Sequence, residues 1–200
     1  MRAPCLALFA AACLAAPTAS AHDLDEDRPD VGVALRTVHR IVSLDSFAPS
    51  NVHGLSVSEH ARFGRWVGAQ VTFAVTSGID AHGYGRTDLE FAMPAILVFF
   101  PTLDHVRPYF ATGPVMTATF FHGPATPGTG GFMYAGNQTA LGFELKRTKK
   151  MSFLFEIATT LRGRFAVDQK DRPALEGAPV FERDTRVVHE GSLSLGVVLY

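Results

Sequence analysis

"EFAMPAILVFFP", residues Glu90–Pro101, contains a run, Phe91–Phe100, in which no side chain carries a charge or a hydrogen-bonding group. A membrane-spanning helix needs about 20 such residues, so this run has roughly half the required length. Two structures remain compatible with it: a buried strand of a soluble protein, and a strand that faces lipid. The rest of the sequence is needed to distinguish a buried strand from a lipid-facing one.

The first 21 residues have the composition of a secretory signal peptide. A basic start at Arg2 precedes an apolar stretch, Leu6–Ala16, and the small residues "ASA". We predict cleavage at the end of this segment and a flexible acidic leader over 22–30. Both cysteines, Cys5 and Cys13, lie in the signal, so we expect a mature chain without disulfides. A lipoprotein cleavage at Cys13 is the alternative.

The rest of the chain, 31–200, has the length of one domain. Removing Arg2 with the signal changes the formal net charge from −1 to −2, a balance that does not predict nucleic-acid binding. No mature segment reaches the ~18 consecutive apolar residues typical of a transmembrane helix.

Alternation of apolar and polar residues is the main signal in this region, and it predicts β-strands. Seven strands follow directly from the pattern: 31–42, 65–76, 86–100, 105–121, 132–147, 151–164 and 186–200. Tight connections alternate with longer ones rich in Gly, Pro and charged residues: 101–104 and 148–150 against 77–85, 122–131 and 165–185. An up-and-down sheet with both termini at its tight-turn end requires an eighth strand, for which we predict 51–61, followed by a turn at 62–65.

Five of these strands separate two kinds of side chain by parity. Uncharged residues occupy odd positions, among them Val67, Val71, Phe73, Leu89, Phe91, Leu97, Phe99, Leu141, Phe143, Phe153, Phe155, Leu195 and Leu199. Even positions hold charged or small residues, among them Asp88, Glu90, Glu144, Lys146, Glu156, Arg162, Gly68, Gly136, Gly142 and Gly196. A soluble sandwich also has one apolar and one polar face, so parity alone does not decide.

The aromatic residues favour a membrane barrel, because they form two bands near the ends of the strands. Trp66, Phe99, Phe100, Tyr109, Phe110, Phe143, Phe153, Phe155 and Tyr200 lie near the tight turns, and Phe91, Phe120, Phe121, Phe132 and Tyr134 near the long connections. Membrane barrels carry such girdles at both interfaces. The alternative explanation is that aromatic residues simply favour strands.

Four features resemble the small outer-membrane β-barrels of the OmpA/OmpX type. They are "VGVALR" (31–36), "VRPYFATGPV" (106–115), "TALGFELKRTKKMSFLFEIATTLRG" (139–163) and the C-terminal aromatic Tyr200. With the strand count, the resemblance implies an all-β fold: an eight-stranded antiparallel up-and-down transmembrane β-barrel over 31–200, with an interior filled by side chains.

Two features depart from the family pattern. Tyr200 has the opposite parity to the apolar row that ends at Leu199, whereas the family usually ends with its aromatic residue in register. Pro94, Pro108 and Pro114 lie within strands, where each removes a donor from the hydrogen-bond ladder. We expect bulges or local bends near these prolines.

The inward charges form the most informative set of residues, because an ion sealed in a barrel must be paired. The register of the 101–104 turn predicts a pair between Arg107 and Glu144. Glu144 and Glu156 would be diagonal neighbours and would need a second cation. The predicted interior charge network consists of Arg36, Arg40, Asp88, Glu90, Arg107, Glu144, Lys146, Glu156 and Arg162.

Other motifs give weaker indications of chemistry. The histidines show no metal-ligand spacing, and no catalytic residue, cofactor loop or metal site is predicted. The His189-Glu190-Gly191-Ser192 segment resembles the His/Ser/Glu sets of lipid A deacylases but lacks their His-x-Ser spacing. Gly64-Arg65-Trp66 is similar to the Gly-x-Trp start of lipocalins but lies well into the chain.

The function implied is that of a non-enzymatic protein of the bacterial outer membrane, with surface-exposed loops in a structural or interaction role. The expected partners are outer-membrane lipid and, during insertion, the barrel-assembly machinery. We expect a monomer that does not bind nucleic acid, and the ligand of the loops stays open. A lipid-modifying outer-membrane enzyme and a soluble lipocalin-like carrier of a small apolar ligand are the two alternatives.

Overall fold

The computed structural model describes residues 30–43, 50–79, 85–103, 105–122, 129–164 and 187–200. The predicted signal peptide and nearly all of the predicted leader lie outside these residues. The described ranges contain no helix whose length and hydropathy would let it cross a membrane.

Eight β-strands make up the described chain: β1 (Asp30–Ser43), β2 (Ser50–Arg62), β3 (Val67–Ile79), β4 (Gly85–Phe99), β5 (Val106–His122), β6 (Thr129–Thr148), β7 (Met151–Arg164) and β8 (Val187–Leu199). Each predicted strand is confirmed, including 51–61, which the sequence indicated only through topology. The ends differ from the predicted ones by at most about three residues, as is usual for strand boundaries.

The strands form a closed antiparallel barrel in which each pairs with its neighbours in sequence and β1 pairs with β8. Closure leaves the sheet without a free edge. The connections 63–66, 100–105 and 149–150 share one end with Asp30 and Leu199, here called the short-turn end. The opposite end, where 44–49, 80–84, 123–128 and 165–186 connect the strands, is the loop end; those four segments lie outside the described residues.

Side chains alternate between a buried interior and an apolar outer surface, as the strand period of two requires. The outer surface exposes large apolar residues from seven of the eight strands, such as Leu35, Leu55, Phe73, Ile96, Met133, Leu141, Ile157 and Leu195, and β5 contributes half-buried ones such as Phe110 and Met116. The interior is layered. Apolar clusters lie toward the short-turn end (Leu97, Phe99, Tyr109, Leu154, Val198) and toward the loop end (Val42, Val52, Phe132, Tyr134, Val188). Buried charged and hydroxyl groups occupy the space between.

A β-bulge in β4 reverses the side-chain directions that we predicted for the second half of the run Phe91–Phe100. The pairing of β4 with both β3 and β5 shifts by one residue in the segment between Ala92 and Ile96, which contains Pro94. Beyond the shift, Leu97 and Phe99 are buried inside the barrel. The prediction that they face outward was therefore wrong, because one extra residue inverts the side-chain alternation.

Of the three prolines at which we expected a bulge or bend, only Pro94 lies in a bulged segment of its own strand. Pro114 lies on β5 opposite the bulged segment, between partners Val115 and Thr112 of the interrupted pairing. Pro108 and Pro114 both pair with β6 without any change of register. Pro94 is thus accommodated at a bulge, where the ladder is already broken, whereas Pro108 and Pro114 stand in a regular pairing with β6.

The two predicted aromatic bands are only partly confirmed. Trp66, Phe100 and Phe143 are exposed on the outer surface near the short-turn end, and Phe143 stacks on Phe155 of the neighbouring strand at a centroid distance of 5.0 Å. Five members point inward instead: Phe99, Tyr109, Phe132, Tyr134 and Tyr200. Two of them, Phe132 and Tyr134, belonged to the five-residue loop-end band, in which Phe91 is exposed on the outer surface as predicted.

Cysteine substitution tests the bulge. Ile96 is 60% exposed and Leu97 is 1% exposed, so Ile96→Cys should react with a lipid-soluble maleimide while Leu97→Cys stays unlabelled until the barrel is unfolded. Val98→Cys and Phe99→Cys form a second pair with the same expected contrast. Cys5 and Cys13 are replaced by serine to remove background. Equal labelling of Ile96→Cys and Leu97→Cys in the folded protein would disprove the parity change.

Candidate functional site: the buried charge network

The interior charged residues are the set whose side chains could most readily carry a chemical function. Six arginines and five carboxylates are buried among the described residues: Arg36, Arg40, Arg62, Arg86, Arg107, Arg162, Asp88, Glu90, Glu144, Glu156 and Glu190. Eight of the nine predicted network residues belong to this set. The ninth, Lys146, is half-buried at the short-turn end. The signs nearly balance, as burial in a closed interior requires.

Two arginines and two glutamates form a ring of alternating charge at the centre. Arg40 donates from Nη1 and Nη2 to the two carboxylate oxygens of Glu90 at 2.8 and 2.7 Å, a bidentate pair. Its Nε lies 3.4 Å from Oε1 of Glu190. Arg162 donates to Glu190, and its Nη1 lies 3.6 Å from Oε2 of Glu90, which closes the ring.

This ring connects opposite walls of the barrel. Arg40, Glu190 and Arg162 belong to the adjacent strands β1, β8 and β7, whereas Glu90 belongs to β4 on the far side. One carboxylate therefore joins β4 to two strands with which it shares no backbone pairing. The charge-assisted hydrogen bonds and ion pairs of the ring hold opposite walls of the barrel together.

A second group lies beside the ring toward the loop end. The Asp88 carboxylate accepts hydrogen bonds from Nε of Arg86 at 3.0 Å and from the hydroxyl of Thr119 at 2.6 Å. The side chain of Asp88 is fully buried, so these bonds replace the water it would otherwise bind.

A third group lies toward the short-turn end and is centred on Glu156. Arg36 donates to Glu156 at 2.9 Å, and the hydroxyl of Tyr109 donates to its other oxygen at 2.8 Å. Arg36 also donates to Nε2 of His60 at 2.8 Å. Because a guanidinium can only donate, Nε2 of His60 is the acceptor, and the ring proton lies on Nδ1.

Glycine makes room for the group around Glu156. Tyr109 on β5 and Glu156 on β7 are both directly opposite Gly142 of the intervening strand β6. The Tyr109 ring lies where a Cβ on Gly142 would be, so it can cross β6 to reach Glu156. The small residues of the even positions thus provide space for large neighbours.

The predicted Arg107–Glu144 pair is correctly placed. The two residues are directly opposite one another on β5 and β6. Nε of Arg107 donates to Thr102 at 3.4 Å, and Glu144 accepts a hydrogen bond of 2.9 Å from the hydroxyl of Tyr200. The ion pair between Arg107 and Glu144 stays a prediction. The bond from Tyr200 explains the unusual parity of this residue, which turns toward the interior to reach a buried carboxylate.

Sequence reasoning missed four buried charged or titratable residues: His60, Arg62, Arg86 and Glu190. Arg86 and Glu190 occupy the even positions of their strands, in line with Glu90 and Ser192, so the parity rule applied consistently would have found them. His60 and Arg62 lie at the end of β2, a strand that was inferred only from topology.

The packing of the network leaves no room for a substrate. The cavity between Arg40, Gln70, Glu90 and Glu156 has a volume of about 20 Å³, which is the space of about one water molecule. No cluster of three or more His, Cys, Asp or Glu suited to a metal ion occurs in the described part of the chain. The arrangement can hold the walls of the barrel together.

The deacylase-like segment is divided by the barrel wall. His189 is exposed on the outer surface, where its Nε2 lies 2.9 Å from the hydroxyl of Thr159. Glu190 is buried inside, and Ser194 on the same side confirms the direction of the even positions of β8. His189 and Glu190 therefore cannot act together as members of one triad.

Comparisons with known proteins establish the fold. No family model and no curated protein matches the sequence. Among solved structures, the chain is similar to Neisserial surface protein A, with a TM-score of 0.65, 13% identity, and coverage of 86% of this chain and 99% of that one. It is also similar to Ail, the attachment invasion locus protein of Yersinia pestis, with a TM-score of 0.55, 12% identity, and coverage of 86% and 98%.

A third similar structure is the outer membrane protein OprG from Pseudomonas aeruginosa, with a TM-score of 0.50, 12% identity, and coverage of 88% of this chain and 98% of that one. Identities this low establish the fold alone. The chain has the all-β, closed eight-stranded fold of small outer-membrane barrels, and the fold-level prediction is confirmed.

The central ring can be tested by a double-mutant cycle. Arg40→Met should lower the free energy of unfolding by about 3–5 kcal/mol, because Glu90 loses its bidentate partner. The double variant Arg40→Met/Glu90→Leu should be less destabilised, because charge balance returns. Denaturant unfolding in detergent, followed by the fluorescence of the single tryptophan, Trp66, provides the measurement.

The control for this cycle is Glu59→Gln, which removes an exposed carboxylate from the outward face of β2. It should leave the unfolding midpoint nearly unchanged. An Arg40→Met variant that unfolds at the wild-type denaturant concentration would show that the ring does not stabilise the barrel.

The close contact between the Tyr109 ring and Gly142 gives another prediction. Gly142→Ala should destabilise the barrel by about 1–3 kcal/mol, because its Cβ would overlap the Tyr109 ring. In a Tyr109→Val background the same change should cost less, and the remaining loss reflects the backbone oxygen of Phe155, which the added Cβ also meets at 2.7 Å. Gly191→Ala is the matched control, since an added Cβ there meets nothing within 4 Å. Equal losses for Gly142→Ala and Gly191→Ala in the unfolding assay would contradict this packing.

Proposed function

We propose that the protein is a non-enzymatic component of the bacterial outer membrane, exported by its N-terminal signal, whose barrel crosses the membrane and presents its loop end outside the cell. The observation that carries this proposal is the inside-out partition of side chains. Exposed large apolar residues cover the outer surface of seven of the eight strands, and the paired charges lie inside. Lipid is the solvent that matches such a surface.

The strand lengths support the proposed membrane crossing. A tilted transmembrane strand needs about 9–11 residues. The shortest strands have 13 residues, and β5 and β6 have 17 and 20. The extra length of β5 and β6 lets the barrel extend beyond the hydrocarbon layer, so we propose that their loop-end portions stand above it.

The proposed role is structural or interactive, because the interior offers no room for chemistry and the loop end is the part left to meet other molecules. Among the similar structures, Ail is an attachment invasion locus protein, and one of its structures contains a heparin analogue, sucrose octasulfate. The four loop-end connections of this chain carry seven acidic residues and four Lys or Arg. This balance disfavours a highly sulfated ligand, so we do not extend that ligand to this chain.

Several partners follow from the proposal. Outer-membrane lipid would surround the apolar outer surface. The barrel-assembly machinery would act on the C-terminal strand β8 and the aromatic Tyr200 that follows it. We propose a monomer, since closure of the barrel through β1 and β8 leaves no strand edge for a second copy.

The two alternative functions are each disfavoured by an observation. A carrier of a small apolar ligand needs a cavity of about 300 Å³ or more, whereas the middle of this interior holds about 20 Å³. A deacylase that used His189 and Glu190 together would need both side chains on one surface, but the wall separates them.

Cell fractionation combined with gel mobility tests the proposal. The protein should sediment with the outer membrane, require detergent for extraction, and migrate differently in SDS before and after boiling, because a closed barrel resists cold detergent. Arg40→Met is a useful companion variant, since it should lower the temperature of the mobility change without altering the location. Recovery of the wild-type protein in the soluble periplasmic fraction would overturn the proposal.

Mass spectrometry of lipid A tests the non-enzymatic part. Lipid A from cells with and without the gene should show the same set of acylated species. A species that disappears with the gene and returns with the wild-type gene, but not with a His189→Gln variant, would establish a lipid-modifying enzyme instead.

A further inference from the structure

Two histidines form a close pair on the outer surface of the barrel. His39 on β1 and His53 on β2 are directly opposite one another in the antiparallel register. Their Nδ1 atoms are 2.8 Å apart and their ring centroids 4.4 Å apart, with a tilt of 34° between the planes. One ring must carry the proton of this contact and the other must accept it, so the two nitrogens already converge on a shared cation, the proton.

The pair lies in a more polar part of the outer surface near the loop end. On β1, the outward residues Thr37 and His39 stand between the apolar Val31–Leu35 and Ile41. On β3, the residue opposite His53 is Ser77. His53 is well exposed, so water and dissolved ions can reach the pair.

We propose that His39 and His53 form a two-histidine chelate for a divalent late transition-metal ion, with Cu²⁺ preferred. A metal–nitrogen distance of about 2.0–2.1 Å and a nitrogen separation of 2.8 Å give a nitrogen–metal–nitrogen angle of about 85–90°. This is the angle between neighbouring ligands in a tetragonal site. Tetrahedral Zn²⁺ would require a separation of about 3.3–3.4 Å.

The chemistry of the donors agrees with the geometry. Imidazole suits copper, nickel and zinc, and affinity for a given nitrogen site rises from Ni²⁺ to Cu²⁺ and falls again at Zn²⁺. The protein supplies two ligands, and water fills the other positions. The ion takes the place of the proton between the two Nδ1 atoms, the donating ring then carries its N–H on Nε2, and the ion ties β1 to β2.

Motif spacing could not reveal this site. His39 and His53 are separated by 14 positions and come together only because β1 and β2 pair in this register. The site differs from the other outward histidine near the loop end, His189, which is bonded to a threonine hydroxyl and has no second imidazole in the contacts described for it. The inference does not depend on the proposed function, because it uses only the pairing of the two strands.

Titration of the detergent-extracted protein without a polyhistidine tag tests the site. CuCl₂ should bind with one equivalent that is tighter than any other, and its electron paramagnetic resonance spectrum should show two coordinated nitrogens. His39→Gln and His53→Gln should each lower the affinity of this site for Cu²⁺ by roughly 10- to 100-fold or more. Loss of a residue that only hydrogen-bonds to a metal ligand already lowers metal affinity by about that factor. The order of affinity should be Cu²⁺, then Ni²⁺, then Zn²⁺.

Stability gives an independent readout. A ligand that binds only the folded state at about 100 times its dissociation constant raises the folded-to-unfolded ratio about 100-fold. Cu²⁺ should therefore raise the temperature of the mobility change in the wild type and in the matched control His189→Gln. It should have no such effect in His39→Gln or His53→Gln, whose cold mobility shows whether each variant has folded.

Three results would overturn the proposal. They are the absence of a tight Cu²⁺ equivalent in the wild type, an unchanged affinity in both pair variants, and an equal loss of affinity in His189→Gln. Binding of Zn²⁺ as tight as that of Cu²⁺ would contradict the tetragonal geometry on which the assignment rests.

Discussion

The bidentate pair between Arg40 and Glu90 is the interaction on which the rest of this barrel depends. Glu90 stands on β4 and its two cationic partners stand on β1 and β7, so a single carboxylate fixes the distance between opposite walls. A one-residue slip of β4 would turn Glu90 to the outer surface, and with it Asp88. The ring therefore helps to specify the register of the barrel as well as stabilising it, because a one-residue slip exposes these charges on the apolar outer face.

The interior is filled by pairing large residues with small ones around this ring. Tyr109 occupies the space above Gly142, and Arg36 lies against Gly196, so both can extend to Glu156 across an intervening strand. A barrel of eight strands has an interior only wide enough for its side chains. Where a large side chain such as Tyr109 or Arg36 reaches past a neighbouring strand, the residue it passes is a glycine, Gly142 or Gly196, whose missing Cβ provides the space.

The alternation between odd and even positions predicted the fold and most of the interior residues. Where it predicted the wrong side of the barrel, the cause is local. Glu90, Glu144 and Glu156 were placed correctly because a strand has a strict period of two. Leu97 and Phe99 were misplaced because the bulge near Pro94 inverts that period. Phe132 and Tyr134 have the inward parity, and they were misassigned because their aromatic character was given more weight. The partner of each charge was not predictable, since Arg40 and Glu90 lie 50 residues apart and meet across the interior.

The interior constrains where a partner has room to bind. The central charges pair with one another, and the cavity beside them has the size of about one water molecule. The outer surface, in contrast, is accessible to a larger partner. On the outer surface, polar groups are expensive beside lipid, so the few that stand there, such as His39, His53 and His189, are the residues whose presence the stability of the barrel does not explain. Their position on the outer surface near the loop end lets them engage dissolved ions and polar molecules without any opening of the core.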